Sequence, residues 1–164
     1  MKRVFWLLAL LFVAPVLLAD AGLPAVTMYK NPACGCCGAW TEHMRNAGFD
    51  RLQSHAVTDM SATRRALGMP EAHASCHTAQ IGQYLLEGHV PADDIKRLLR
   101  EHPDAIGLAV PGMPMGSPGM EGGKAEAYDT LLILKDGSAR LFQRHDKPMT
   151  SHTEKPRIFL IPDP

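Results

Sequence analysis

Three of the four cysteines in this 164-residue chain fall within one stretch of four residues, Cys34-Gly35-Cys36-Cys37. Cys34 and Cys37 form a C-x-x-C pair, and Cys34 and Cys36 a C-x-C pair. A thiolate is both the nucleophile of disulfide exchange and a ligand for a soft metal, so the spacing alone serves either chemistry. Cys36 tilts the balance. Dithiol exchangers usually carry Pro before the second cysteine, and a third thiol there would compete for the disulfide. In a metal site the same thiol adds a donor, and bridging thiolates can join several Cu(I) ions. Gly38 stands where covalent haem attachment would need His, so that motif fails. A purely structural role suits the trio poorly, because scaffold disulfides close long loops and a bridge inside this cluster closes a very short one.

Two further groups carry suitable donors. Cys76-His77 is the first, with His73 three residues earlier. If that segment packs over the first cysteines, Cys76 completes a four-thiol set and His77 adds an imidazole. The plainer reading is a buried free cysteine beside a surface histidine. The second group is Met113, Met115 and Met120, in a ten-residue stretch from Pro111 with six Pro and Gly. Thioether sulfur favours Cu(I) over Zn(II) and hard cations. Methionine also fills gaps in cores, but Pro and Gly mark this stretch as a loop. Of the three, Met113 is the expected ligand. His43, His55, His89, His102, His145 and His152 read as ordinary histidines without a metal role.

These residues need elements to hold them. Ala25 to Lys30 reads as a strand bounded by Pro24 and Asn31-Pro32. Cys37, Trp40, Met44 and Ala47 recur at helical spacing before Gly48, predicting a helix over 34–47 with the cysteines in its first turn. There, free backbone N–H groups and the helix dipole favour thiolate over thiol. A strand over 51–57, a helix over 59–67 capped by Asp59 and stopped by Gly68, and a strand over 81–86 follow. Residues 91–101 form the clearest helix, with Pro at the start and acids in the first turn. Residues 105–110 are a short apolar run, and 128–134 and 138–144 flank Asp136-Gly137 as a hairpin. The order predicts an α/β fold, a thioredoxin-like mixed sheet flanked by helices with a Cys-bearing first helix. A Pro-bearing loop facing the C-x-x-C in such a fold would bring Met113 to the cysteines.

The N-terminus sets an expected compartment. Met1-Lys2-Arg3 precedes an uncharged run from Val4 to Ala19 and an A-x-A signal at Ala19-Asp20-Ala21. Residues 1–21 are expected to be a cleaved signal peptide and the mature chain periplasmic, with no membrane attachment after cleavage. Residues 22–146 form one domain and 147–164 a loosely ordered tail. The chain has 17 Lys and Arg against 17 Asp and Glu, and losing Lys2, Arg3 and Asp20 leaves one negative charge in excess. No basic stripe exists to hold nucleic acid.

Four segments together resemble a known family: 29–40 around the cysteine trio, 75–79 around Cys76-His77, 87–92 (Glu-Gly-His-Val-Pro-Ala), and the methionine-bearing 110–121. They are similar to the CopG-type exported copper-resistance proteins, long catalogued as a domain of unknown function. The likeness spans about Ala25 to His145. It implies a thioredoxin-like fold, Cu(I) bound as one or several ions in a thiolate-rich site, and a place in periplasmic copper resistance with copper redox chemistry open. By motif it carries over Cys34, Cys36, Cys37 and Cys76 as ligands, with His77 and Met113 in the matching segments. Copper ions and other periplasmic copper-handling proteins are the implied partners. A weaker likeness of residues 29–35 to glutaredoxin-type arsenate reductases concerns fold, because no Arg lies near Cys34 to hold an oxyanion. The alternative function is a thiol–disulfide oxidoreductase using Cys34 and Cys37.

Overall fold

A computed structural model describes residues 22–146. The expected leader over 1–21 and tail over 147–164 lie outside the described residues. Seven strands and three helices run in the order β1 (Val26–Lys30), α1 (Cys36–Asn46), β2 (Leu52–Ala56), α2 (Met60–Leu67), β3 (His77–Ile81), β4 (Tyr84–Glu87), α3 (Ala92–Glu101), β5 (Ala105–Ala109), β6 (Tyr128–Leu134) and β7 (Ala139–His145). One mixed sheet holds all seven strands in the order β2-β1-β3-β4-β5-β6-β7. The pairs β1–β2 and β4–β5 are parallel, each bridged by a helix, and the other pairs are antiparallel. Mixed α/β architecture with a Cys-bearing first helix is therefore as expected.

Alternation along the strands shows that both faces of the sheet are covered. Successive residues divide between two apolar clusters: Leu86 and Leu108 pack with Trp40, Met44, Ile95 and Leu98, whereas Leu85 and Ala109 pack with Met69 and Ile133. Side chains on a strand point to opposite faces in turn, so α1 and α3 cover one face and the segment leaving α2 covers the other. β4 is buried along its whole length, while the outer strands β2 and β7 are largely exposed.

The helix ends follow their sequence signals. Asp59 accepts a hydrogen bond from the Ala62 amide at 2.8 Å to cap α2, and Gly68 closes it in the left-handed region. Asp93 and Asp94 lie in the first turn of α3. Cys37, Trp40 and Met44 are fully buried on α1, as the periodicity predicts. α1 begins at Cys36 rather than Cys34, because Asn31 holds a turn: its side chain accepts from the Ala33 amide and its carbonyl from the Cys34 amide.

One expected element is corrected. The strand expected over 81–86 crosses a hairpin turn: Ile81 ends β3 and Tyr84 to Leu86 lie in β4, with the two strands paired antiparallel and Ile81 opposite Tyr84. Gly82, with φ of 54°, and Gln83 reverse the chain. Gly at the first of two central positions is the pattern of a II′ turn, and a continuous apolar reading of the run passes over it. The hairpin matters because it delivers Cys76 and His77, at the start of β3, beside the residues after β4.

Candidate metal centre

The centre gathers where α1 begins, beside the start of β3 and the β4–α3 connection. Cys36 and Cys37 open α1, with Cys34 just before it. Cys76 and His77 enter β3, and β3 pairs with β1 so that His77 stands opposite Lys30. The sulfurs of Cys34, Cys36, Cys37 and Cys76 all lie within 4.8 Å of one another. Cys34 and Cys37 are joined as a disulfide, and Cys36 and Cys76 are free thiols. Cys36 Sγ is 3.6 Å from Cys34 Sγ, and Cys76 Sγ is 3.9 Å from Cys37 Sγ. All four expected cysteines therefore converge, with two of them oxidised to one another.

Met113 reaches the same place from the loop after β5, its Sδ 4.0 Å from Cys36 Sγ. Its side chain is half exposed, and it lines an open hollow with Asn31, Cys34, Cys36 and Cys76. The loop is held against α1 at Gly119, where φ is +87° and an added Cβ would stand 2.9 Å from the Trp40 amide nitrogen. Met115 packs against Gly123 instead. His73 turns to the β6–β7 hairpin, its Nε2 3.4 Å from the Gly137 carbonyl.

Two imidazoles flank Cys76. His77 Nδ1 lies 3.3 Å from Cys76 Sγ, and its buried Nε2 has no hydrogen-bond partner among the described residues. Burial, then the charges of His89 and Lys30, pull the His77 pKa down to about 3, so the ring is neutral. It packs on Trp40 with ring centres 4.5 Å apart. His89, in the β4–α3 connection, places Nε2 3.0 Å from Cys76 Sγ and Nδ1 2.7 Å from the Pro118 carbonyl. A carbonyl can only accept, so Nδ1 carries the proton and Nε2 faces the sulfur with its lone pair. Burial also lowers the His89 pKa. Cys76, His77 and His89 form a second donor group within 4.8 Å that shares Cys76 with the first.

His89 is the residue that the sequence reading passed over. It has no cysteine near it in sequence, and only the β3–β4 hairpin brings it to Cys76. Its one signal was its place in the Glu-Gly-His-Val-Pro-Ala segment.

The donors suit a soft cation: thiol and thioether sulfur with neutral imidazole, and no carboxylate in either donor group. His77 Nδ1 and His89 Nε2 both face Cys76 Sγ, so an ion beside that sulfur would have an imidazole nitrogen within reach on each side. Among the described residues, no helix is long and apolar enough to cross a membrane.

Residues 73–120, from the Cys76 segment to the methionine loop, match a family model described as a protein of unknown function, DUF411. Two solved structures are similar over nearly their whole length. "Copper resistance protein copG, Form 1" is 41% identical with a TM-score of 0.70, covering 76% of this chain and 99% of its own. The corresponding Form 2 is 42% identical at the same TM-score, covering 75% and 98%. No curated protein matches the chain.

Proposed function

From the premise that this chain belongs to the family of the copper resistance protein CopG, we propose that it captures Cu(I) in the periplasm, in a thiolate-rich site of one or more ions, and so contributes to copper resistance. Cys34, Cys36, Cys37 and Cys76 are the thiolate ligands, with Met113 and His77, and His89 beside them. The observation that carries the reading is the convergence of four cysteine sulfurs within 4.8 Å, from two segments about forty residues apart in sequence. Sulfur at such density favours Cu(I), and short Sγ–Sγ separations suit thiolates that bridge neighbouring ions. Met113, half exposed at the rim, is placed to meet an incoming ion or a copper-handling partner before the cysteines do.

The experiment is anaerobic titration of the fully reduced chain with Cu(I), read by metal analysis and thiol count. Copper bound in proportion to protein, with all four thiols protected from alkylation, is the expected result. Equal competition by Zn(II) under the same conditions would count against copper.

A second reading draws on the Cys34–Cys37 disulfide, which ties up half the thiolates. Two Cu(II) ions oxidising the Cys34 and Cys37 thiols would give this disulfide, two Cu(I) and two protons, so the pair can exchange electrons with its own cargo. Thiol–disulfide exchange with a protein dithiol uses the same two sulfurs. Both are additions to copper capture, because neither uses Cys76, Met113 or the two imidazoles.

A further inference from the structure

We infer that the buried Arg64–Glu87 pair acts through Ser75 as a brace that positions Cys76 and Met113 against the cysteine motif. Its purpose rests on the copper reading above, while its geometry stands independently.

Glu87, at the end of β4, is fully buried, and Arg64 on α2 is 3% exposed. One carboxylate oxygen of Glu87 accepts from the Ser75 amide at 2.6 Å and from Arg64 Nε at 3.0 Å. The other accepts from the Thr78 hydroxyl at 2.6 Å. Arg64 Nη2 donates to the Ser75 carbonyl at 3.0 Å, and Nη1 to Glu71 at 2.9 Å. Both backbone polar groups of Ser75 are therefore held by the pair, and Thr78 is held two residues beyond Cys76. Cys76 and His77 sit between two clamped points.

The brace continues to the methionine loop. The Ser75 hydroxyl donates to the Gly112 carbonyl, and the Gly112 amide donates to the Ala74 carbonyl at 3.3 Å. Ser75 and Gly112 form an isolated parallel bridge, and Gly112 immediately precedes Met113. Gly88, next to Glu87, lies so close that an added Cβ would come within 2.4 Å of Ser75 Oγ. One residue thus receives the ion pair on its main chain and passes a tether to the segment that bears the thioether.

Core stability alone does not account for charges at this position. A buried ion pair loses about as much in desolvation as it gains in attraction, and apolar residues of similar volume often serve as well. What the charged pair supplies is direction: it aims donors and acceptors at one peptide unit beside Cys76.

The test uses the full chain with the Cys34–Cys37 disulfide kept, so that Cys36 and Cys76 are the free thiols. Iodoacetamide labelling is followed by peptide mass spectrometry. Glu87→Gln should label Cys76 at least roughly tenfold faster while Cys36, the internal reference, stays at its wild-type rate. Unchanged labelling of Cys76, or equal acceleration at both cysteines, would overturn the brace. Arg64→Lys keeps the charge beside Glu87 but loses the Nη2 donor to the Ser75 carbonyl, and serves if Glu87→Gln does not fold. Competition of Cu(I) against a chromophoric chelator is then measured for the reduced chain. Ser75→Ala and Met113→Leu should each weaken binding several-fold, and the double variant should be no weaker than the worse single one. Additive losses would show that Ser75 does not act through Met113. Wild-type protein that binds no Cu(I) would sink the copper reading, and the labelling ratio would still decide the brace.

Discussion

Cys76 touches both halves of the centre, with Cys37 Sγ at 3.9 Å on one side and the nitrogens of His77 and His89 at 3.3 and 3.0 Å on the other. Burial, then the neighbouring Cys36, pushes its thiol up to about 12. The thiol is therefore protonated throughout the neutral range, and a metal must expel that proton to bind. Copper affinity should rise about tenfold for each pH unit through this residue alone, between about pH 6 and 8. His77, pulled down to about 3, is already neutral and should put no inflection in that range. Competition titrations across the window check both points, and a flat profile would remove Cys76 from the ligands. Cys36 separates capture from exchange. A dithiol exchanger needs only Cys34 and Cys37, whereas a copper site loses a donor that a neutral hydroxyl cannot replace. Cys36→Ser should lower copper affinity or stoichiometry at least roughly tenfold, on the order of 1.4 kcal/mol. Circular dichroism should be unchanged, because Cys36 is partly exposed and lies outside the core cluster. The cysteines and Met113 were legible in the sequence because sulfur clusters announce their chemistry by type. His89 was not, because its role depends on a strand reversal that no local pattern of histidines encodes.

At the scale of elements, the centre depends on two connections reaching α1. Helical periodicity and cap residues made α1, α2 and α3 readable, and Asp136-Gly137 made the β6–β7 hairpin readable. The β3–β4 hairpin was hidden because both strands are buried almost throughout, so residues 81–86 read as one continuous apolar strand across the turn. Its Gly82 was the one available signal. The buried Arg64 was hidden too, since an Arg on a short helix ordinarily faces water, and only the distant Glu87 explains its burial. The loop carrying Met113 rests on α1 through Gly119, whose φ of +87° and close approach to Trp40, Ala39 and Cys36 leave no room for a side chain. Gly119→Ala should cost about 1–3 kcal/mol in denaturant unfolding, from backbone strain and displacement of the loop. It should also weaken copper binding at least as much as Met113→Leu does. A variant with wild-type stability and affinity would show that the loop is not anchored there.

For the whole molecule, compartment and redox state go together, because disulfides persist outside the reducing cytoplasm. Protein recovered from its native host should begin at or close to Gly22 by mass spectrometry, and an intact Met1 in membrane fractions would refute export. In such a compartment the Cys34–Cys37 pair can be found in either state, and on the proposed reading each state would offer copper a different site. Oxidised, the centre keeps Cys36, Cys76, Met113 and the two imidazoles. Reduced by an external dithiol, which supplies two electrons and two protons and leaves as a disulfide, it gains two more thiolates. The bridge closes so short a loop that its loss should cost only roughly 2 kcal/mol, and both cysteines sit on a chain segment anchored by the Asn31 turn and by Trp40 in the core. Reduction should therefore leave far-UV circular dichroism intact while raising the number of Cu(I) ions bound per chain. Adding Cu(II) to the reduced chain without oxygen should then restore the Cys34–Cys37 bond, one disulfide for each two Cu(I) formed, as read by peptide mapping and a Cu(I)-specific chromophore. Equal copper capacity in both states would leave the disulfide without a part in copper handling. Cu(II) retained with all thiols intact would remove electron transfer from the protein's chemistry and leave capture alone.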